Sequence, residues 1–127
     1  MRFLLDSHVL VWLLFAPEMV GAEAKRALES AEQASISTVS LWELTLKHAK
    51  GRLPHSPEQL TAGVATVGAE ELAIGHRHLV SLPQVELPHG DPFDAMLIAQ
   101  SHTDGLTLLT ADRHLLSSRY ATMDVRR

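Results

Sequence analysis

Short apolar runs alternate with longer stretches of helical periodicity along this chain, and that alternation predicts an α/β organisation. Residues 2–5 read as a buried strand. Residues 8–15 read as a helix that ends before Pro17, because proline disfavours helix at the residue preceding it. An Ala- and Glu-rich helix follows over residues 20–32, then a short strand at 35–37. Thr38 or Ser40 is placed to cap a helix running to about Lys50, with Gly51 as its stop. Ser56 and Pro57 open a helix to about Val67. Residues 71–74 predict a third strand and 76–82 a short helix. Asp91 caps a helix from Pro92 to about His102, and strands follow at 106–109 and 122–125.

This order predicts a mostly parallel sheet with helices on both faces. In open sheets of that kind the ligand site lies outside the carboxyl ends of the strands. Asp6 and Asp112 follow strands and would reach that edge. Glu43 falls about two turns into a helix that follows a strand, and Asp94 falls in the first turn of its helix.

Composition narrows the class. A chain of 127 residues has the length of one domain, covering residues 1–127, and is long enough to bury a core. With 46% hydrophobic and 20% charged residues the composition is globular rather than disordered. The absence of cysteine removes disulfides, zinc–thiolate sites and thiol nucleophiles. Asp6 and His8 interrupt the N-terminal apolar run, so it does not read as a signal peptide, and no apolar run approaches the length of a membrane span. The expectation is a soluble cytoplasmic protein with no membrane partner. The net charge of −4 argues against a general nucleic-acid binder unless bound cations cover some of the acid.

Four acids stand where a charge is costly unless used: Asp6, Glu43, Asp94 and Asp112. Each also has an ordinary structural role open to it. Asp6 suits the cap of the first helix, Glu43 an i+4 pair with Lys47, Asp94 a first turn favoured by the helix dipole, and Asp112 a cap for the turn at Arg113-His114. As a set they point elsewhere. Oxygen-only ligands suit Mg2+ or Mn2+, and crowded carboxylates repel one another unless a cation joins them. Such an ion supplies what phosphodiester hydrolysis needs: an activated water, a polarised phosphoryl oxygen and a stabilised leaving oxygen. Asp91 reads first as a helix cap, with support of the site as its functional option. The hydroxyls of Thr110 and Ser7 are the other supporting candidates. Asp104 and Asp124 read as surface or turn acids. His76 and His78 stand two apart, which does not place them on one helix face and argues against zinc. Lys47, His48, Lys50 and Arg52 are the densest basic cluster, either a solvated helix end or a strip guiding a phosphate backbone towards Glu43. Trp12 and Trp42 read as core or interface residues rather than base-stacking platforms.

Four blocks carry a family likeness: Met1-Arg2-Phe3-Leu4-Leu5-Asp6-Ser7-His8, Val39-Ser40-Leu41-Trp42-Glu43, Asp91-Pro92-Phe93-Asp94 with Leu97-Ile98-Ala99-Gln100, and Leu108-Leu109-Thr110-Ala111-Asp112. Together they resemble the PIN-domain family, and within it the VapC-like toxins of bacterial toxin–antitoxin pairs. The likeness covers essentially the whole chain. It implies a three-layer α/β/α sandwich around a parallel sheet. It implies an endoribonuclease dependent on Mg2+ or Mn2+, with Asp6, Glu43, Asp94 and Asp112 as the acidic, metal-holding site. It implies an RNA substrate, a homodimer, and a cognate antitoxin whose tail covers the acidic groove. Two positions depart from the pattern. Ala95 stands where similar sequences often carry Arg, and Ser7 replaces the commoner Thr but keeps the hydroxyl.

Other classes fit less well. A nuclease of the same family acting on structured or single-stranded DNA, or a binding module that does not cleave, would carry the same residues. A signalling receiver domain wants a phospho-accepting Asp near mid-chain and a late Lys, but no Asp lies between Asp6 and Asp91 and no Lys follows Lys50. A haloacid-dehalogenase-like phosphatase wants a second Asp two residues after the first, where this chain has His8.

Overall fold

The computed structural model describes residues 1–88 and 90–127. Among them, five strands form one all-parallel sheet in the order β3-β2-β1-β4-β5: β1 Arg2–Leu5, β2 Gln33–Ser37, β3 Glu70–Leu72, β4 Thr107–Thr110 and β5 Thr122–Asp124. The helices are α1 Ser7–Phe15, α2 Ala22–Glu29, α3 Thr38–Ala49, α4 Pro57–Thr66, α5 His76–Ser81, α6 Pro92–Asp104 and α7 Arg113–Leu116. Short 3-10 turns occupy Pro17–Met19 and Leu82–Gln84.

Central β1 shows why the sheet is covered on both sides. Phe3 and Leu5 face a cluster with Val9, Leu10, Leu41, Leu44 and Leu60, which α1, α3 and α4 supply. Leu4 points the other way, to Leu97, Ile98, Leu108 and Leu115 of β4, α6 and α7. A strand buried on both faces must be apolar at every position, which is why residues 3–5 form an unbroken run rather than an alternating one. The result is the expected three-layer α/β/α sandwich. No helix of the described residues is long and apolar enough to cross a membrane.

Several boundaries differ from those the pattern predicts. The second helix is shorter than residues 20–32. It begins at Ala22 because Gly21 is held extended, its N–H bonded to Val125 O at 2.9 Å. A side chain at Gly21 would strike the backbone of Arg127. The third strand occupies Glu70–Leu72 rather than 71–74, since it lies at the sheet edge and its last partner on β2 is Ser37. Ile74 is left exposed. Helix α3 is capped by Ser37, not Thr38 or Ser40; its Oγ accepts from Val39 N–H at 3.0 Å. Gly51 does end that helix, at φ +72°. Strand β4 lies one residue later than 106–109, leaving out Leu106 and taking in Thr110.

Candidate active site

The strand order reverses between β1 and β4. After β1 the chain builds outward through β2 and β3, and β4 then returns to the other side. Such a switch point opens a crevice at the carboxyl ends of the two central strands. Asp6 follows β1 directly and Asp112 follows β4 by two residues, so the crevice has an acid on each side.

Asp6 is buried and closely held. Its N–H donates to Leu109 O at 3.0 Å. Its carboxylate accepts from Ser7 N–H at 2.7 Å on Oδ1, as the cap of α1, and from the Thr110 hydroxyl at 2.7 Å on Oδ2. The Thr110 oxygen in turn accepts from Asp112 N–H at 3.0 Å. A chain of two hydrogen bonds therefore ties the Asp112 backbone to the Asp6 carboxylate. Ser7 takes part through its backbone. His8 closes the same junction: its Nε2 accepts from Ala111 N–H at 3.1 Å. That leaves the ring proton of the neutral form on Nδ1, 3.8 Å from Asp6 Oδ2, a separation for electrostatic attraction rather than a hydrogen bond. Sequence reasoning assigns His8 no role at this junction. Its pairing partner lies 103 residues away, so no local signal reveals it.

Two further acids end up as caps and neighbours at once. Asp112 caps α7, with Oδ1 accepting from His114 N–H at 2.8 Å and Leu115 N–H at 3.4 Å. Asp91 caps α6 through bonds from Phe93 N–H at 2.9 Å and Asp94 N–H at 3.3 Å. The structural and functional readings of these acids do not compete. A helix N-terminus offers unpaired N–H groups and a favourable dipole, so it can hold a carboxylate beside others that would repel it. Glu43 is half-buried and forms no salt bridge with Lys47 among the described residues. One turn before Glu43, the buried Ser40 hydroxyl has no hydrogen-bond partner there.

Asp94 registers all of them. Its carboxyl is pushed up to about 7, first by burial and then by the negative fields of Asp91, Asp6, Asp112 and Glu43, in that order. Such fields fade with distance, so Asp91, Asp6, Asp112 and Glu43 lie within electrostatic reach of Asp94. They are not drawn into contact: among the described residues no three Asp, Glu or His side chains form a ready-made metal-holding group. The chemistry nevertheless suits a hard divalent ion. The donors are all oxygens, and their mutual repulsion is what a cation would relieve.

Beside the acids lies an apolar groove of about 360 Å3, lined by Val39, Trp42, Ile74, Leu82, Phe93 and Met96 among others. Trp42 is 58% exposed, which excludes it from the core, and meets the Phe93 ring edge-on at 5.2 Å. Trp12 packs against the core as expected. The proposed surface acid Asp104 is instead bound by Arg77 and by the fully buried His78. The His78 ring uses both nitrogens, on Gly75 N–H and on Asp104, leaving none for zinc.

A family model for the PIN domain matches residues 3–120. The chain belongs to the PIN-domain family. It is 31% identical over 126 residues to a Mycobacterium tuberculosis protein described as Ribonuclease VapC22, covering 92% of each chain. PIN-fold neighbours among solved structures include a DNA-bound VapBC from Salmonella typhimurium, with a TM-score of 0.69, 21% identity, and coverage of 98% of this chain and 97% of that one. Another is VapBC2 from Rickettsia felis bound to a promoter DNA fragment, with a TM-score of 0.68, 14% identity, and coverage of 97% of this chain and 98% of that one.

Proposed function

We propose that this chain is a VapC-like ribonuclease, the toxin of a toxin–antitoxin pair, and that it hydrolyses RNA phosphodiester bonds with the help of Mg2+ or Mn2+. The observation that carries the reading is the state of Asp94. A half-buried carboxyl surrounded by four other acids and raised to about 7 is poorly explained by stability, because the arrangement weakens the fold. It is well explained by a site kept ready for a cation. The 31% likeness to a protein described as a ribonuclease supports the substrate class.

In this reading Asp6 and Asp94 would hold the ion, with Glu43 and Asp112 completing the site. A bound divalent ion supplies an activated water and charge neutralisation at the phosphoryl group. The protein's own residues prepare for it. Thr110 and Ser7 N–H fix both Asp6 oxygens, so one ligand is pre-oriented. Asp91 holds the first turn of α6 and so places Asp94. Asp94 would have to be ionised to serve as a ligand. His8 and Thr110 lock the ends of β1 and β4 together, which keeps Asp6 and Asp112 in register. The partners proposed are RNA, a cognate antitoxin and a second copy of the chain, acting in the cytoplasm within one domain of residues 1–127. Ala95, next to Asp94, brings no cation to the site and leaves the proposed ligand set unchanged.

The test is cleavage of labelled RNA and single-stranded DNA with Mn2+ and with EDTA. RNA cleavage that needs the metal supports the reading. Cleavage of DNA alone, or binding of RNA without any cleavage at millimolar Mn2+, would sink it.

A further inference from the structure

From residue 44 to residue 57 the chain has no acid, yet it has Lys47, His48, Lys50 and Arg52. Helix geometry sets Lys47 and Lys50 on the Glu43 side of α3, within about 40° of it around the axis. They lie about 6 Å and about 10 Å further along. Gly51, at φ +72°, then turns the chain back, and Arg52 N–H donates to Lys47 O at 2.9 Å. Arg52 therefore returns beside the end of the helix. Lys47, Lys50 and Arg52 are all exposed, and none has a salt bridge or side-chain hydrogen bond among the described residues. Arg77, Arg119 and Arg126, by contrast, each lie against a carboxylate. His48 is occupied by Leu53 O at 2.8 Å.

The helix dipole favours cations in a last turn. It favours Lys47 and Lys50 singly, but it does not account for Arg52, which lies beyond the helix, and the pair at i and i+3 repels itself. On a chain of net charge −4, an acid-free run of cations leading away from an acidic crevice is a place where a polyanion gains attraction. We propose that Lys47, Lys50 and Arg52 form a phosphate-binding strip that holds the RNA backbone to one side of the scissile bond. This rests on reading the acidic edge as a ribonuclease site and adds where the substrate runs.

The experiment measures binding of a labelled single-stranded RNA across a salt series, with Mn2+ present and in an Asp94→Asn background that stops cleavage. The variant K47Q/K50Q/R52Q is set against K25Q/R26Q/R127Q, which removes the same charge on and near α2. Each phosphate contact contributes about 0.7 to the slope of log affinity against log salt for single strands. Losing three contacts should flatten the slope by about 2. Between 50 and 200 mM salt the parent then loses roughly 20-fold more affinity than the strip variant. In the cleaving proteins the strip variant should raise KM far more than it lowers kcat, while the α2 control stays near wild type. Equal slopes for the two variants would overturn the strip. So would a lower melting temperature with RNA affinity intact, which would make the cations a helix-end device. Loss of polyglutamate binding with RNA binding retained would assign the surface to an acidic protein and also overturn it. A wild-type protein that neither binds nor cleaves RNA would remove the ribonuclease reading, and the strip with it.

Discussion

Helix α6 carries Asp94 in its first turn and Asp104 in its last, and the environment tunes these two carboxyls in opposite directions. The dipole favours an acid at the N-terminus and opposes one at the C-terminus. By that rule Asp94 should ionise easily and Asp104 with difficulty. The reverse holds. Asp94 is raised to about 7 by burial and by four neighbouring acids. Asp104 is held below the usual carboxylate range, chiefly by the bonds from Arg77 at 2.8 and 2.9 Å, with His78 assisting at 3.1 Å. Close charged partners outweigh the dipole of a single helix. One end of α6 is built for stability, clasping α5 through a satisfied ion pair. The other end gathers like charges around a raised carboxyl, and that is where chemistry is proposed.

The largest expected effect lies at the acidic end. Asp6→Asn or Asp94→Asn should cut Mn2+-dependent RNA cleavage at least about a hundredfold, since several kcal/mol of charge stabilisation go with the ligand. Circular dichroism should show the fold intact. Wild-type cleavage by either variant, at the same metal concentration, removes the contrast.

Next comes metal linkage. Mn2+ should stabilise the wild type by about 2.7 kcal/mol at a hundredfold excess over its dissociation constant, and Asp94→Asn by much less. Thermal melts with and without metal decide it.

At the clasped end, Asp104→Ala should destabilise by about 1–2 kcal/mol, because it strands the fully buried His78 N–H, whereas the exposed Arg77 guanidinium turns to water. Denaturant titration reads this directly. The pH dependence has a definite sign. A lowered folded pKa means the Asp104 contribution is full above about pH 4, the unfolded value, and disappears as the pH falls through the folded one.

The smallest effect is also the sharpest. Asp94 has a folded pKa of about 7 against about 4 unfolded, so the native state holds a proton that the unfolded state has lost. Stability should therefore decline as pH rises from about 4 to 7 and level off above that. Without metal at pH 8, Asp94→Asn should be more stable than wild type, by about 1 kcal/mol once solvent screening of this half-exposed group is allowed for. A melting-temperature difference of zero or of the opposite sign would mean that Asp94 is not under strain.

The sequence by itself determined the parallel α/β architecture. A run such as Phe3-Leu4-Leu5 can be buried only by covering both sides, and that requires helices on both faces. It also located the four acids, because a charge beside an apolar strand end or inside an apolar helix run stands out locally. Tertiary structure alone decided which acids share a field and which are neutralised. The sequence does not reveal that Asp94 and Asp104 are tuned in opposite directions. Their difference comes from burial and the fields of Asp91, Asp6, Asp112 and Glu43 on one side and from Arg77 and His78 on the other, most of them far along the chain. The junction of His8 with Ala111 and of Thr110 with Asp6 is equally invisible in the linear chain. Electrostatic and hydrogen-bond partners act over a few ångströms, and only the folded chain brings residues a hundred positions apart within that reach.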